Sequence, residues 1–306
     1  MKWIRHQSKL IHLFAVFIVL YIWRTLAVTP RDVTLQRYHL SRITLDLLAL
    51  TVAIPYILIW LVALAGYLSF RRYGRSIRHS ADGAAVMLLV YGLFWLVLWL
   101  PVNTLVGGAL NDIAQAHPSV TTLARCLTVY INLAILAISY VLLYLGARKT
   151  LGMVRTDLPA KPSMLRAGFY VLYALLAALY IYTIFRHTSA SHPAVSYLPD
   201  WVLLLTVIVP RLILWFLGVQ AIGDIYLYAR FVSGSLYRAA FRYLAIGLSG
   251  VTMALILLAY FTTLEEGHPY SLGRLLGILY VLLIIAAAGF VTIMVGTAKL
   301  RRIEEA

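Results

Sequence analysis

The sequence has one cysteine and few lysines, and each shortage excludes a class of function. Cys126 alone cannot form an intramolecular disulfide or build a thiolate metal cluster. No lysine lies within an apolar segment, which excludes a retinal Schiff base. Among the histidines only His12 lies within an apolar segment, and one such histidine cannot provide the two ligands of a bis-histidine haem. We therefore expect no cofactor.

Charge and polar segments are also scarce. Only 12% of the residues are charged, 62% are hydrophobic, and the mean hydropathy is +0.88. Such a composition is typical of polytopic membrane proteins. No polar segment is long enough to fold independently in water, and neither an apposed Ser and His, a pair of Asp nor a glycine-rich phosphate loop is present. These absences argue against an enzyme or an ATPase.

Apolar windows of about 20 residues, the length of a helix that crosses a bilayer, occupy most of the chain. A closed β-barrel would instead show alternating segments of about ten residues. We therefore predict an all-α integral membrane protein with eight transmembrane helices. The windows cover residues 10–28, 45–70, 84–109, 123–147, 166–186, 199–222, 240–263 and 273–297.

One segment of the sequence occurs twice at a constant spacing of 155 residues. Thr51, Pro55 and Trp60 of the first copy match Thr206, Pro210 and Trp215 of the second, and the same spacing aligns several leucines and Gly92 with Gly247. We interpret this as two tandem four-helix repeats, residues 1–147 and 164–306, joined by a cytoplasmic linker, 148–163. An even number of helices per repeat gives both copies the same orientation, as in parallel-repeat transporters.

The net charge of +15 reflects a bias in the loops. With the amino terminus in the cytoplasm, most of the 26 lysines and arginines lie on the cytoplasmic side. We therefore predict a multi-pass protein of the plasma (inner) membrane with both termini cytoplasmic and the first segment retained. Membrane lipids, rather than nucleic acid, are the expected partners of these basic residues.

Two ionisable residues lie within the sixth predicted helix, where charge is costly. Arg211 follows Pro210 directly and replaces Tyr56 of the first copy. It either binds carbonyls freed by the proline or an acid on a neighbouring helix, or it forms an anion site. Asp224 lies near the cytoplasmic end and is expected either at a solvated helix end, as a partner for Arg230, or as part of the binding site.

Two further pairs of residues complete the predicted binding site. Pro55 and Pro210 are expected to break their helices at matching depth, and paired interruptions of this kind mark substrate sites in transporters. Arg125 and Arg274 each begin the last helix of a repeat. They either snorkel to the outer interface or point into a central vestibule that would attract an anion.

Each predicted outer loop contains a histidine. Together with nearby carboxylates these residues could hold a divalent metal or sense pH, but no pair has the spacing of a helical metal site. We predict no metal site. The candidate residues of these loops are His39, His117, His192, His268, Asp112, Asp200, Glu265 and Glu266.

Two functions fit these features. The first is a transporter or channel for a small, anionic solute, along a path between the repeats. The second is a non-transporting membrane subunit or scaffold that binds a partner protein or lipid. A transporter would turn Arg211 inward, whereas a subunit would turn it toward a helix of its partner.

Overall fold

Helices form all the regular secondary structure in the part of the chain that the structure describes. It is a computed structural model that describes residues 2–25, 41–80, 83–154, 164–188, 200–232, 234–267 and 271–305. The α-helices are α1 (Lys2–Trp23), α2 (Arg42–Ser76), α3 (Gly83–Val102), α4 (Gly108–Ala116), α5 (Thr121–Val154), α6 (Met164–Thr188), α7 (Asp200–Leu203), α8 (Val209–Phe231), α9 (Ser235–Gly267) and α10 (Leu272–Glu305).

Seven helical segments are long and apolar enough to cross a membrane, as an all-α, polytopic membrane protein requires. They are Leu47–Ser76, Gly83–Leu110, Thr121–Val154, Ala167–Ile184, Trp201–Phe231, Leu236–Phe261 and Leu272–Leu300. The first predicted window, 10–28, is described only as far as Thr25, and its apolar helix, Lys9–Trp23, is shorter than the others. The eighth span stays a prediction.

Several helices continue beyond their apolar windows into basic sequence. Helix α2 includes Arg71, Arg72 and Arg75, and α5 runs through Arg148 to Val154. The first part of the predicted linker is therefore helical, and the remainder, 155–163, lies outside the described residues. Long basic side chains permit this extension, because their charged ends reach water while the backbone remains helical.

The two prolines of the duplicated segment have different surroundings, and the predicted break at Pro55 is wrong. Pro55 lies inside α2, which stays α-helical on both sides of it. Pro210 instead follows a π-helical segment, Leu204–Ile208, that joins α7 to α8. Proline has no N–H group, so Pro210 cannot donate a hydrogen bond to the carbonyl of Thr206, four residues earlier. A wider π turn accommodates the missing hydrogen bond without ending the helix.

The chain divides into two compact units that are described separately below. The first comprises Met1–Leu61 and Val97–Asn132, and the second comprises Val62–Leu96 and Leu133–Ala306. In the first unit, the Tyr21 ring of α1 packs on Trp60 of α2, with ring centroids 5.1 Å apart. Beyond α1, Arg24 forms a two-pronged ion pair with Asp112 of α4, with Nη2 2.8 Å from Oδ2 and Nε 3.1 Å from the same oxygen.

Within the second unit, one close helix-helix contact occurs twice. A Cβ atom on Gly92 of α3 would lie 2.8 Å from the backbone nitrogen of Leu143 in α5, and one on Gly247 of α9 would lie 2.9 Å from that of Ile293 in α10. Gly92 and Gly247 are aligned by the spacing of 155 residues. Glycine is required at both positions because the partner backbone occupies the space of a side chain.

A second contact of this unit is reciprocal. Gly66 of α2 lies against Met294 of α10, and Gly218 of α8 lies against Tyr140 of α5. In terms of the predicted repeats, the second helix of each copy therefore contacts the last helix of the other. The buried Tyr140 hydroxyl also donates to Thr252 Oγ1 of α9 at 3.1 Å, so α5, α8 and α9 meet at one tyrosine.

Candidate functional site

Arg211 is held on the first turn of α8 by the π-helical segment before it. The span that contains it runs from Trp201 to Phe231, so Arg211 lies about 15 Å from the Trp201 end at 1.5 Å per residue. Thr206, inside the π segment, donates its hydroxyl to the Val202 carbonyl at 2.7 Å. The local backbone thus places a guanidinium well inside an apolar span.

The guanidinium of Arg211 is directed toward α6. Its Nη1 donates a hydrogen bond to the hydroxyl of Tyr180, which is only 2% exposed. Cζ lies 5.7 Å from the centre of the Tyr180 ring, at the outer limit of a cation-π contact, so the hydrogen bond is the main interaction. The partner of Arg211 is therefore a neutral phenol, and no carboxylate among the described residues forms an ion pair with it.

Aromatic side chains fix the position of Tyr180. Its ring meets Trp215 of α8 edge to face, with centroids 5.0 Å apart, inside a buried cluster that also contains Ile184, Ile208 and Ile256. Two turns earlier on α6, Tyr173 donates its hydroxyl to the Leu212 carbonyl at 2.8 Å. Two phenols of α6 therefore hold the start of α8.

A related arrangement without the charge occurs in the first unit. Tyr21 of α1 packs on Trp60, which the repeat aligns with Trp215, and lies 6.3 Å from the ring of Tyr56, which the repeat aligns with Arg211. In both units a tyrosine of the preceding long helix thus contacts the tryptophan and the residue after the proline. A guanidinium on the residue after the proline occurs in the second unit alone, whereas in the first unit the guanidinium of Arg24 lies within electrostatic reach of Tyr21.

Asp224 occupies a different environment from the one predicted. It is fully buried in α8, and its Oδ2 lies 3.6 Å from Nη1 of Arg148 in α5, a side chain that is half exposed. The expectation of a solvated helix end is wrong, and Arg230 as a partner stays a prediction. The sequence could not indicate Arg148 because the two residues are far apart along the chain and meet only through helix packing.

The six predicted site residues do not converge on one point. Arg211 and Asp224 lie 13 positions apart on one helix, about 20 Å along its axis. Arg274 is exposed on the first turn of α10, while Arg125 lies near the start of α5 and its side chain is outside the described residues. Pro55 and Pro210 are each partly buried. Arg211 is therefore the centre of the candidate site.

The predicted histidine loops lie mostly outside the described residues. This applies to His39, His192 and His268, whereas His117 is described and exposed. Both carboxylate oxygens of Asp112 accept hydrogen bonds from Arg24. Among the described residues, no group of three His, Cys, Asp or Glu side chains could hold a metal ion.

Tyr180 was not among the residues predicted from the sequence. It lies one helical turn beyond Leu176, the residue that the spacing of 155 aligns with Tyr21, so the two tyrosines do not match in the repeat. Four buried polar atoms without a hydrogen-bond partner within the described ranges were not predicted either. These are Nε1 of Trp60, Nε1 of Trp99, Oδ1 of Asn132 and Nη1 of Arg71.

Comparison of the chain with protein-family models, curated proteins and solved structures finds no match. The function must therefore be argued from the site itself.

Proposed function

We propose that this protein is a transporter for a small anionic solute, with Arg211 as the solute-binding cation. A single observation carries the proposal: the guanidinium lies inside an apolar span and is bound by a phenol rather than a carboxylate. An arginine at the centre of a span costs about 2.5 to 3.5 kcal/mol on insertion scales. A bound anion would offset that cost with charge-assisted hydrogen bonds.

The contacts of Arg211 leave hydrogen-bond donors for such a ligand. Guanidinium carries five N–H donors, and Tyr180 accepts from one nitrogen, Nη1. The remaining donors form a fork that fits a carboxylate or a phosphate with two parallel hydrogen bonds. Tyr180 would therefore position the guanidinium, and the solute would bind to its other nitrogens.

The proposed architecture is eight helices in two parallel four-helix repeats, residues 1–147 and 164–306, in the plasma membrane with both termini cytoplasmic. The recurring joint at Gly92 and Gly247 supports the repeat, because glycines aligned in sequence make the same backbone approach. The contacts of α2 with α10 and of α8 with α5 support a two-fold relation between the repeats, since helices related by a two-fold axis exchange partners in this way. An axis along the membrane normal follows from the even number of helices per repeat.

The direction of Arg211 favours this function over a non-transporting subunit. A subunit that binds its partner through Arg211 requires the guanidinium to face outward. Its hydrogen bond to a phenol that is 2% exposed turns it toward the interior of its own unit instead. The solute site would then lie between α6 and α8.

Efflux from proteoliposomes tests the proposal. Vesicles would be loaded with a mixture of chloride, phosphate and short mono- and dicarboxylates, and the released anions quantified by mass spectrometry. We expect one class to leave faster than from protein-free vesicles. The variant Arg211→Gln should abolish this release at equal amounts of folded protein, and Tyr180→Phe should reduce it because the guanidinium loses its anchor.

Arg230→Gln is the matched control, since Arg230 is an exposed arginine at the other end of the same helix. It should leave release unchanged. The proposal fails if no anion is released above the protein-free rate, or if Arg211→Gln and the parent chain release it equally. A stoichiometric second polypeptide in a native mass spectrum, without anion release, would favour the subunit function.

A further inference from the structure

Three arginines form a stripe along the last turns of α2 and the turn that follows the helix. Arg71, Arg75 and Arg78 are separated by four and three residues, a spacing that places them on one helical face, and Tyr67 lies one turn earlier on the same face. The helix ends at Ser76, and Arg78 lies in the turn that follows. Like charges at this spacing repel one another, and a bound anion would relieve that repulsion.

Helix α3 forms the other side of this stripe. The Tyr67 ring lies 5.3 Å from that of Phe94, and Gly74 brings the α2 backbone against the side chains of Val90 and Met87. Tyr91, beside Val90, is half exposed. Arg75 lies within electrostatic reach of Arg71, Arg78 and the phenols of Tyr67 and Tyr91. The cations and phenols thus lie together along the seam between α2 and α3, here called the groove, with Tyr67 buried in it and Tyr91 half exposed.

One donor in this groove is buried and has no acceptor. Nη1 of Arg71 is inaccessible to solvent and makes no hydrogen bond to any described residue. A buried charged donor without a partner is costly, and an anion bound to this guanidinium would offset part of that cost. Between Asp46 and Asp112 the sequence contains one acidic residue, Asp82, which lies outside the described residues.

We propose that Arg71, Arg75, Tyr67 and Tyr91 form a binding site for a phosphate group, with Arg78 at its rim. The group would come from an anionic lipid headgroup or from free phosphate. Two guanidinium groups supply paired N–H donors for its oxygens, and two phenols supply O–H donors. The groove lies at the end of the α2 span, the depth of a lipid headgroup. The site is separate from Arg211 and does not depend on transport.

The repeat predicts one such site per chain. The residues aligned with Tyr67, Arg71 and Tyr91 are Ile222, Tyr226 and Ile246, so only Arg75 has a basic counterpart, Arg230. The second copy therefore provides a single exposed arginine in place of the groove, which makes Arg230→Gln a matched control.

Titration of the purified full-length chain in neutral detergent tests the site. The probes are inorganic phosphate, short-chain phosphatidylglycerol, and short-chain diacylglycerol as the lipid without phosphate. We expect one phosphate-bearing ligand per chain by native mass spectrometry. Binding of inorganic phosphate alone would identify free phosphate as the ligand, and binding of phosphatidylglycerol alone would identify a headgroup.

Arg71→Gln and Arg75→Gln should each weaken binding about tenfold, the effect of losing one charge-assisted hydrogen bond. Arg230→Gln should bind like the parent chain. Tyr91→Phe should also weaken binding. This side chain is half exposed, so the variant should fold and can test the site even if the arginine variants do not fold. The proposal is overturned if diacylglycerol binds as well as phosphatidylglycerol, if neither phosphate probe binds, or if the variants that fold bind as tightly as the parent chain.

Discussion

Arg148 and Asp224 form an ion pair that has no counterpart in the other repeat. Nη1 of Arg148 lies 3.6 Å from Oδ2 of the buried Asp224 and links α5 to α8. The spacing of 155 residues aligns Asp224 with Ser69 of the first copy. In the last helices of the two repeats the spacing is 150 residues, which relates Leu143 to Ile293 and aligns Arg148 with Ala298. The charge pair therefore distinguishes two otherwise reciprocal helix contacts.

Loss of Arg148 should destabilise the protein because it leaves the buried carboxylate without this cation. We expect Arg148→Ala to lower the free energy of unfolding by about 1 to 2 kcal/mol, less than for a fully buried pair because Arg148 is half exposed. Thermal unfolding in detergent measures the change. Adding Asp224→Asn should restore much of the loss, and Lys149→Ala, at an exposed neighbouring position, should have little effect. Equal melting temperatures for Arg148→Ala and Lys149→Ala would contradict the expected role.

The two aligned glycines should respond alike to substitution. Gly92→Ala and Gly247→Ala both place a methyl group within 3 Å of a backbone nitrogen, so the helices must separate. We expect each to lower stability by about 1 to 3 kcal/mol, measured by denaturation in mixed micelles. Gly277→Ala is the control, because nothing lies within 4 Å of the added methyl group. A loss for only one of the two glycines would argue against equivalent joints.

Seven of the eight apolar windows correspond to the seven spans of the structure, because hydrocarbon thickness fixes both helix length and composition. The helix ends were less predictable. Val154 ends α5 within the predicted linker, since basic residues there tolerate water and the backbone needs no apolar surroundings to stay helical. Composition thus identifies the segments that can cross a membrane, but it does not determine how far their helices continue into water.

The site residues show a different limit. The cost of charge in a membrane identified Arg211, but the identity of its partner depends on how α6 packs against α8, and Tyr180 does not match Tyr21 in the repeat. Pro55 and Pro210 match in sequence but not in structure, because only the second is preceded by a π segment. The partner of Arg211 and the surroundings of each proline depend on neighbouring helices, so they cannot be predicted from residue spacing along one helix.

The hydrogen bond between Tyr140 and Thr252 should contribute measurably to stability. Both residues are buried, and Oη of Tyr140 lies 3.1 Å from Oγ1 of Thr252. We expect Tyr140→Phe to cost about 1 kcal/mol, in the range found for hydrogen bonds between membrane helices. A double-mutant cycle with Thr252→Val measures the coupling. Tyr182→Phe on the exposed face of α6 is the control, and additive effects of the two substitutions would show that the bond contributes nothing.

The location of the amino terminus distinguishes eight spans from seven. If Lys9–Trp23 crosses the membrane together with the residues that follow it, both termini lie on the side of His79, in the cytoplasm. If it does not cross, the amino terminus lies with His117 on the opposite side. Single cysteines, His79→Cys and His117→Cys, in a Cys126→Ala background mark the two sides, because both histidines are exposed.

An impermeant maleimide applied to intact cells should label the cysteine at position 117 and spare the one at 79, and permeabilisation should make both reactive. A protease-sensitive tag at either terminus should be protected in intact cells. Cleavage of the amino-terminal tag alone would mean seven spans, and it would remove the even helix count on which the parallel orientation of the repeats depends. Protection of both tags retains that orientation, because a chain that begins and ends on one side crosses the membrane an even number of times.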